Sequence, residues 1–511
     1  MAHQSLNENF KLGILGAGAM GRGIAQVAAL GGLSVVMIDG QAGVAKDAIG
    51  FIESMLGRAV EKKRLDQAAA DAAMKKISVG DDLASLKGCN LIIEAIIEDI
   101  EIKKKTFKQL EDLCGAETIL ASNTSALPIS VIGSECEHRG RIAGMHFFNP
   151  VPLMKLVEVI HTPFTDPDVI TLLCQVAERM GRTPVRVKDN PGFLAGNTGR
   201  AYFTEALRLH QEQIASPADI DRIARDAGGF RMGPFELIDL IGMDVNYPAT
   251  LSMFHDFFSE PRYRPSPDYR LLFESKTLGR KTGQGFYRYD DDKKPIIDPE
   301  PDAPKSMPKK VWLWGHNKTT LKQLTDLANK AGVGIDTGKK PGKGVLALIA
   351  PLAEDATTTA LSLGIDPLHT VAVDTLFGWE TRRTAMAPPG ADPGTIEQAL
   401  GLLASDGVKI TRVNDSPGFV MPRIQAVMTN LSCENCQLGV ATPEGLDTAM
   451  KLGFNYPEGP LEAGDRIDAK QILEVIESLY TFYGDDRYRT SPWLKRRARM
   501  GVSLKTPERT S

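Results

Sequence analysis

A long internal repeat constrains the fold of this chain more than any other feature. The run Asp-Asn-Pro-Gly-Phe at residues 189–193 returns as Asp-Ser-Pro-Gly-Phe at residues 415–419, an offset of 226 residues. The same offset relates several small or special residues: Ala215-Ser216-Pro217 with Ala441-Thr442-Pro443, Asp221 with Asp447, Gly233-Pro234 with Gly459-Pro460, and Asp239 with Asp465. One further run, Arg262-Tyr263-Arg264, returns as Arg487-Tyr488-Arg489 with a slip of one position. Agreement in register over this length indicates duplication of one structural unit.

The two copies are predicted to be helical domains. Residues 200–213 and 220–227 are amphipathic at the helical period, and Gly-Pro turns separate such stretches. Between the copies, residues 290–310 are rich in Pro, Asp and Lys, which is typical of an exposed linker. Residues 311–413 then alternate short apolar strands with helical stretches, which indicates a second α/β layer.

A glycine-rich loop follows the first apolar strand, Lys11 to Leu15. The loop residues Gly16, Gly18, Met20 and Gly21 lead into a helix of small residues, whose N-terminal amides can face a pyrophosphate. A second strand ends in Asp39, which can accept hydrogen bonds from the adenosine ribose hydroxyls and would repel a 2′-phosphate. The order and spacing predict a Rossmann domain that binds NAD rather than NADP. The alternative is a tight turn followed by a solvated aspartate.

Two polar motifs lie downstream of this loop, Ser122-Asn123-Thr124-Ser125 and His146-Phe147-Phe148-Asn149-Pro150. The first follows an apolar strand, so it is expected at the carboxyl end of the sheet, where doubly wound folds bind their ligands. Oxidation of a secondary alcohol requires a base, and histidine titrates in the right range. The turn at Asn149-Pro150 can bring Glu158 back beside His146, where a carboxylate would orient the imidazole. Together the motifs indicate a hydride-transfer site, although singly each is as typical of a buried histidine, a strand glutamate or a polar loop.

The composition limits the classes of partner. The 511 residues are 24% charged with a net charge of −4, which provides no basic field for nucleic acid. No apolar run is long enough to cross a bilayer, so a cytoplasmic enzyme or binding protein without a membrane partner is expected. Six cysteines over this length do not suggest a disulfide framework. Cys433 and Cys436 form one Cys-x-x-Cys on a predicted helix, where the two residues merely share a face, and no metal site is predicted.

Taken together, the motifs resemble the 3-hydroxyacyl-CoA dehydrogenase family, specifically its long bacterial members with a duplicated C-terminal helical domain. The resemblance covers residues 11–290 densely and residues 413–497 through the repeat. It rests on the following motifs in family order: the glycine loop, Glu94-Ala95-Ile96-Ile97-Glu98, Ser-Asn-Thr-Ser, His-Phe-Phe-Asn-Pro, Lys155 to Glu158, and Pro191-Gly192-Phe193. It implies NAD-dependent oxidation of a short-chain (S)-3-hydroxyacyl-CoA, such as 3-hydroxybutyryl-CoA or 3-hydroxyadipyl-CoA, to the 3-oxoacyl-CoA, as in the β-oxidation of fatty acids.

The resemblance also implies a role for individual residues. These are His146 as general base, Glu158 as its orienting partner, Ser125 as a hydrogen-bond donor to the substrate 3-oxygen, Asn123 near the nicotinamide and thioester, Glu98 and Lys103 near the cofactor ribose and nicotinamide end, Asp39 on the adenosine ribose, and Lys62 and Lys63 at the CoA phosphates. The Lys62-Lys63-Arg64 run is also typical of a solvated helix face.

One position departs from the family pattern. The family usually places an asparagine three residues after Pro-Gly-Phe, and this chain has Gly196 there and Asn197 next. One residue turns a helical side chain by about 100°. Either Asn197 fills the role and contacts substrate, or the role is lost.

The second half is predicted to lack this chemistry. Residues 311–413 contain no Gly-x-Gly-x-x-Gly, and the repeat offset applied to His146 leads to Ala372. A helical domain that otherwise packs against a partner subunit is expected to pack against its own duplicate, so the chain is either a homodimer or a monomer that imitates a dimer. The predicted α/β plus all-α fold has five parts: a Rossmann domain (1–187), a helical domain (188–290), a linker (291–310), a degenerate Rossmann-like α/β domain (311–412) and a second helical domain (413–511).

Two other functions compete with this interpretation. A dehydrogenase of small hydroxy acids or sugar acids on the same two-domain plan usually relies on a lysine base, so the His146 and Glu158 pair argues against it, and dependence on CoA discriminates the two. A non-catalytic structural or ligand-binding relative would explain Gly196. Retention of His146, Glu158, Ser125 and Asn123 together argues against decay of the site.

Overall fold

The computed structural model of the chain describes residues 6–508, so residues 1–5 and 509–511 of the predicted ranges lie outside it. The strands are β1 Lys11–Leu15, β2 Ser34–Ile38, β3 Ile77–Val79, β4 Leu91–Glu94, β5 Ile119–Ser122, β6 Ile142–Phe147, β7 Leu156–His161, β8 Thr183–Lys188, β9 Arg288–Tyr289, β10 Pro295–Ile296, β11 Lys310–Gly315, β12 Gly334–Asp336, β13 Leu346–Ala350, β14 Thr370–Val373, β15 Arg382–Ala387 and β16 Lys409–Asn414.

The helices account for most of the remaining described chain. They are α1 Ala19–Leu30, α2 Val44–Glu61, α3 Gln67–Met74, α4 Ile100–Leu113, α5 Ile129–Ile132, α6 Pro167–Arg179, α7 Ala195–Thr198, α8 Arg200–Gln211, α9 Pro217–Asp226, α10 Pro234–Ile241, α11 Met243–Asp256, α12 Pro267–Glu274, α13 Lys318–Lys330, α14 Ala356–Leu363, α15 Pro393–Leu403, α16 Met421–Gln437, α17 Pro443–Phe454, α18 Pro460–Ile467, α19 Ala469–Tyr483 and α20 Pro492–Met500. None of these helices is long and apolar enough to cross a membrane.

The first sheet has the strand order β3-β2-β1-β4-β5-β6-β7-β8. Strands β1 to β6 run parallel, whereas β7 pairs antiparallel with β6 and β8 runs parallel to β7. The strands β4 and β5 are buried along their whole length, as expected for parallel strands covered on both faces. The order reverses between β1 and β4, which is the point where open α/β sheets bind ligands.

The two helical copies repeat their hydrogen bonds as well as their residues. The carboxylate of Asp189 accepts from the backbone N–H of Ile129 and Ser130 at the start of α5. The carboxylate of Asp415, its counterpart in the second copy, accepts in the same way from Ala356 and Thr357 at the start of α14. The repeated acids therefore fix backbone ends, which explains why duplication left them unchanged.

Contacts between residues divide the chain into two units that cut across the five predicted ranges. One unit contains the first sheet, the chain up to Asn197, and the segment Leu438–Phe454. The other contains Thr198–Gln437 and the chain from Asn455 onward. Segment 438–454, which includes α17, belongs by sequence to the second helical copy but lies in the unit of the first sheet.

The predicted linker contains ordered contacts. Strand β10 pairs antiparallel with β9, and both carboxylate oxygens of Glu300 accept hydrogen bonds from the buried guanidinium of Arg382. The side chains of residues 298–303 are otherwise mostly exposed. The strand pairing of β10 and the contact of Glu300 with Arg382 therefore hold in place a segment that its composition predicted to be an exposed linker.

The second sheet, of order β12-β11-β13-β14-β15-β16, corrects the predicted counterpart of His146. In the first sheet His146 pairs with Glu158, and the repeat places Thr384 at the position of Glu158. The backbone N–H of Asp374 donates to the carbonyl of Thr384 at 2.9 Å, whereas Ala372 pairs with Met386. Strand β14 is therefore displaced by two residues from the repeat register, and Asp374, not Ala372, lies where the first half has its histidine.

Asp374 and Thr384 are both buried, and within residues 6–508 neither Oδ2 of Asp374 nor Oγ1 of Thr384 has a hydrogen-bond partner. Burial raises the pKa of Asp374 from 3.8 to about 7. Between these two values the folded chain keeps a proton that the unfolded chain has lost, so this group lowers the stability of the fold as pH rises from about 4 to about 7.

We expect Asp374→Asn to stabilise the protein at pH 8 by about 1–3 kcal/mol, because a neutral amide avoids burying a charge. The advantage should shrink towards pH 5, where Asp374 is protonated. Thermal unfolding at both pH values measures the effect, and the exposed Asp302→Asn serves as the control. An advantage that did not change with pH would show that Asp374 is not the group responsible.

Candidate active site

The glycine loop has the close backbone packing that the sequence predicts. Gly16 has a φ of 103°, and a Cβ at this position would lie 2.5 Å from the carbonyl oxygen of Ala95. A Cβ at Gly21 would lie 1.7 Å from the carbonyl oxygen of Gly16. Both positions therefore require glycine, and the loop delivers the chain directly into α1.

Asp39 is held against this loop. Its Oδ2 accepts from the backbone N–H of Ala17 at 2.7 Å, and its Oδ1 accepts from Gln41 at 2.9 Å. The extended backbone of Gly18 precedes α1, and a Cβ there would meet no atom within 4 Å. An open helix N-terminus beside a carboxylate, at the reversal of strand order, fits the pyrophosphate and adenosine ribose of a dinucleotide.

His146 and Glu158 lie directly opposite each other on the antiparallel pair β6 and β7. The Nδ1 of His146 lies 2.6 Å from Oε2 of Glu158, and the other oxygen accepts from the backbone N–H of Leu194 at 3.1 Å and of Ala195 at 2.7 Å. The Glu158 side chain is fully buried, whereas 14% of the His146 side chain is exposed. Because Nδ1 is engaged by the carboxylate, Nε2 is the nitrogen available for proton transfer.

The loop after β5 joins this pair to the rest of the site. The amide oxygen of Asn123 accepts from the backbone N–H of Phe147, the residue after His146, at 2.9 Å. The Thr124 hydroxyl donates to Glu98 at 2.5 Å, and the backbone N–H of Ser125 donates to the same oxygen at 3.1 Å. Ser125 itself is exposed, so its hydroxyl can reach a ligand.

A buried ion pair, which the sequence did not predict, lies beside the loop that follows β5. The ammonium of Lys103, whose side chain is 1% exposed, lies 2.5 Å from Glu94 and 3.3 Å from Glu98. Glu94 also accepts from the hydroxyl of Ser122 at 2.6 Å. Lys103 therefore acts on the predicted cofactor region through Glu98 rather than by direct contact. The acid at each end of Glu94-Ala95-Ile96-Ile97-Glu98 was the only signal of this arrangement in the sequence.

The prediction that Asn197 contacts substrate is not supported by the structure. Asn197 is fully buried, and its amide donates to the carbonyl oxygen of Pro191 at 3.4 Å. A Cβ at Gly196 would instead meet no atom within 4 Å. The position that faces open space therefore carries no side chain, and the asparagine that could supply one turns into the protein.

Lys62 and Lys63 lie beyond the end of a helix rather than along its face. Helix α2 ends at Glu61, Lys62 caps it, and Lys63 has a φ of 55°. Both side chains are exposed. The turn leaves both ammonium groups accessible, so a role at the CoA phosphates stays a prediction. Cys433 and Cys436 are buried in α16, and residues 6–508 contain no cluster of three or more side chains suited to a metal.

Models of one protein family match three parts of the chain. The family described as 3-hydroxyacyl-CoA dehydrogenase, NAD binding domain, matches residues 11–190, and its C-terminal domain matches both residues 192–289 and residues 418–509. The 3-hydroxyadipyl-CoA dehydrogenase of Escherichia coli (strain K12) is 34% identical over 485 residues, which cover 95% of this chain and 96% of the relative. The mitochondrial hydroxyacyl-coenzyme A dehydrogenase of Rattus norvegicus is 41% identical over 283 residues, which cover 54% of this chain and 90% of the relative.

A solved structure agrees over the full length. The crystal structure of 3-hydroxybutyryl-CoA dehydrogenase from Escherichia coli K12 substr. MG1655 matches with a TM-score of 0.83 and 33% identity, covering 97% of this chain and 99% of that chain. The predicted fold class and the resemblance drawn from the motifs are confirmed. The chain therefore belongs to the 3-hydroxyacyl-CoA dehydrogenase family.

Proposed function

We propose that this chain, an NAD-dependent dehydrogenase of its family, oxidises short-chain (S)-3-hydroxyacyl-CoA esters with His146 as the general base. The observation that carries the proposal is the shared carboxylate of Glu158. It engages Nδ1 of His146 with one oxygen and two backbone amides with the other. Anchored in this way, the carboxylate orients the imidazole through Nδ1 and leaves Nε2 as the nitrogen that would accept the substrate hydroxyl proton.

The residues divide the reaction between them. As the C3 hydroxyl becomes a carbonyl, His146 takes the hydroxyl proton, and the negative charge of Glu158 stabilises the imidazolium that forms. Bound NAD would supply the acceptor for the C3 hydride. The exposed Ser125 hydroxyl would donate a hydrogen bond to the 3-oxygen, and Asn123, whose amide oxygen accepts from the backbone N–H of Phe147, would lie near the nicotinamide and the thioester. The product is a 3-oxoacyl-CoA.

Groups other than His146 and Glu158 suit the dinucleotide and the CoA moiety of the substrate. Glycine-loop amides and Asp39 would hold the dinucleotide, and the exposed Lys62 and Lys63 would meet the phosphates of CoA. We further propose short acyl chains as substrates, because relatives that match 95% or more of this chain are named for 3-hydroxyadipyl-CoA and 3-hydroxybutyryl-CoA. We further propose a cytoplasmic location, with the chain either a homodimer or a monomer that imitates a dimer.

Oxidation of NADH at 340 nm with acetoacetyl-CoA tests the reaction. We expect rapid turnover with this ester and NADH. Turnover should be lower by about a hundredfold or more with acetoacetate lacking CoA, because binding energy from the CoA moiety is used at the reacting centre. It should be lower by a similar factor with NADPH, because Asp39 would repel the 2′-phosphate. Equal rates with free acetoacetate would favour a dehydrogenase of small hydroxy acids. Binding of NADH without turnover would favour a ligand-binding protein.

His146→Gln should lower kcat by about a hundredfold or more and leave the Kd for NADH nearly unchanged, because it removes the proton acceptor and no contact to the glycine loop. His161, at the far end of β7, offers a matched control, and His161→Gln should retain turnover. Glu158→Gln should also lower kcat and shift the acid limb of the pH profile. Undiminished turnover in His146→Gln would remove this residue from the mechanism.

Asp39→Ala should weaken NADH binding by about tenfold and relax discrimination against NADPH, because a charged acceptor worth about 1.5 kcal/mol is lost from the ribose site. Asp39→Asn separates two contributions, since it keeps an oxygen for the backbone N–H of Ala17 but removes the charge. Titration of both variants with NADH and NADPH measures the effect. An unaltered preference for NADH in both variants would contradict the assignment.

A further inference from the structure

A segment of the second helical copy packs against the sheet that carries His146. The backbone N–H of Lys188, the last residue of β8, donates to the carbonyl oxygen of Val440 at 2.8 Å. Helix α17 then contacts β7 and β8, and a Cβ at Gly445 would lie 3.1 Å from Val185. The segment Leu438–Phe454 is therefore part of the first unit, although its sequence belongs to the duplicate.

The first copy makes the reciprocal contact with the second sheet. The backbone N–H of Asn414, the last residue of β16, donates to the carbonyl oxygen of Ile214 at 2.8 Å. These two residues are the counterparts of Lys188 and Val440 at the repeat offset of 226. Helix α9 contacts β15 as α17 contacts β7. Equivalent helices of the two copies therefore pack in the same way: α17 of the second copy on the first sheet, and α9 of the first copy on the second sheet. This exchange is expected when a single chain contains both halves of a symmetric assembly.

The carboxyl end of α17 reaches the surroundings of the proposed base. A Cβ at Gly453 would lie 2.9 Å from Cδ2 of Leu156, 3.7 Å from the Phe148 ring and 3.8 Å from Cβ of Ala195. The Phe148 ring lies 4.5 Å from the His146 imidazole, centroid to centroid. The backbone N–H of Ala195 is one of the two that hold Glu158. Two of the three neighbours of Gly453 therefore contact the His146–Glu158 pair directly.

The counterpart of Gly453 supports a packing requirement at this position. The repeat aligns Gly453 with Ala227, and a Cβ at Gly378 would lie 2.6 Å from Cβ of Ala227. Against the second sheet, Ala227, which caps α9, carries the methyl group and the opposing residue is Gly378. Against the first sheet, α17 carries Gly453, and Leu156 and Phe148 are among the opposing side chains. Gly453 is the second-last residue of α17, and it is the close approach of Leu156 that a side chain at this position would disturb.

We propose that α17 is a positioning element for the catalytic pair and that Gly453 is its contact residue, which admits Phe148 and Leu156 at the distances that fix the His146 imidazole. This inference rests on the proposed function of His146. It makes the duplicated domain part of the machinery of the first half rather than a structural partner alone. A Cβ at position 453 would displace the end of the Leu156 side chain, and a branched side chain there would also press on the Phe148 ring that contacts the imidazole.

Gly453→Leu tests the proposal in the full-length enzyme, with Gly445→Leu on the same helix as the matched control. We expect Gly453→Leu to lower kcat with acetoacetyl-CoA by about tenfold and to shift the acid limb of the pH profile, because the imidazole moves relative to Glu158. The Kd for NADH should stay within about twofold, since the glycine loop is untouched. Gly445→Leu should retain kcat and the wild-type pH profile.

Removing the bulk of the displaced ring should restore the activity. Gly453→Leu combined with Phe148→Ala is expected to recover kcat to within about threefold of Phe148→Ala alone, as coupled neighbours do in a double-mutant cycle. Melting temperatures of all variants separate loss of folded protein from loss of positioning. Equal losses of kcat in Gly453→Leu and Gly445→Leu at equal melting temperature, or an unshifted pH profile in Gly453→Leu, would overturn the inference. If His146→Gln keeps full turnover, the proposed function itself fails, and these outcomes are distinct.

Discussion

Burial of the Glu158 carboxylate is the constraint on which the rest of the site depends. A charged group removed from water costs several kcal/mol unless hydrogen bonds and an opposite charge compensate it. Here both oxygens are used, one by His146 and the other by the amides of Leu194 and Ala195. The strand β7 is thereby tied to β6 on one side and to the start of the following helical segment on the other. The geometry that would make His146 a base is also the geometry that makes Glu158 tolerable in the interior.

The same principle explains what duplication kept and what it lost. The acids Asp189 and Asp415 both bind the first amides of a helix, so each remains necessary for the backbone around it. At the position of Glu158 the second half has Thr384, and Asp374 lies where His146 would be. Acids that hold backbone amides persist in both halves, whereas the proposed catalytic pair, His146 and Glu158, has no counterpart pair at Asp374 and Thr384. At this position the second half has no imidazole to orient, and a threonine carries no charge to compensate.

The sequence predicted those parts of the structure that are local or periodic. The strand, glycine loop, helix and Asp39 follow one another within forty residues, and the pairing of His146 with Glu158 needs only one turn between adjacent strands. Contacts between distant segments were not predictable in this way. The two-residue displacement of β14 depends on its neighbours in the sheet, and the burial of Asn197 depends on how the segment after β8 packs. The packing of α17 on β7 and β8 joins residues more than 250 positions apart, and no periodicity reports such a partner.

Fusion of two copies into one chain also permits asymmetry that a homodimer cannot have. Two ion pairs keep the expected symmetry: Arg264 with Asp485 and Arg489 with Glu260, both at 3.3 Å and exchanged between copies. The fully buried pair of Arg423 and Glu205, at 2.6 Å, breaks that symmetry, because the repeat aligns these residues with Asn197 and Leu431. In a symmetric dimer both positions would carry the same residues twice, so an arginine would also stand at position 197, two residues after Ala195, whose backbone N–H donates to Glu158. Breaking a buried pair of this kind costs about 3–5 kcal/mol, and a single chain can carry the pair in one place while Asn197 and Leu431 stand at the aligned positions.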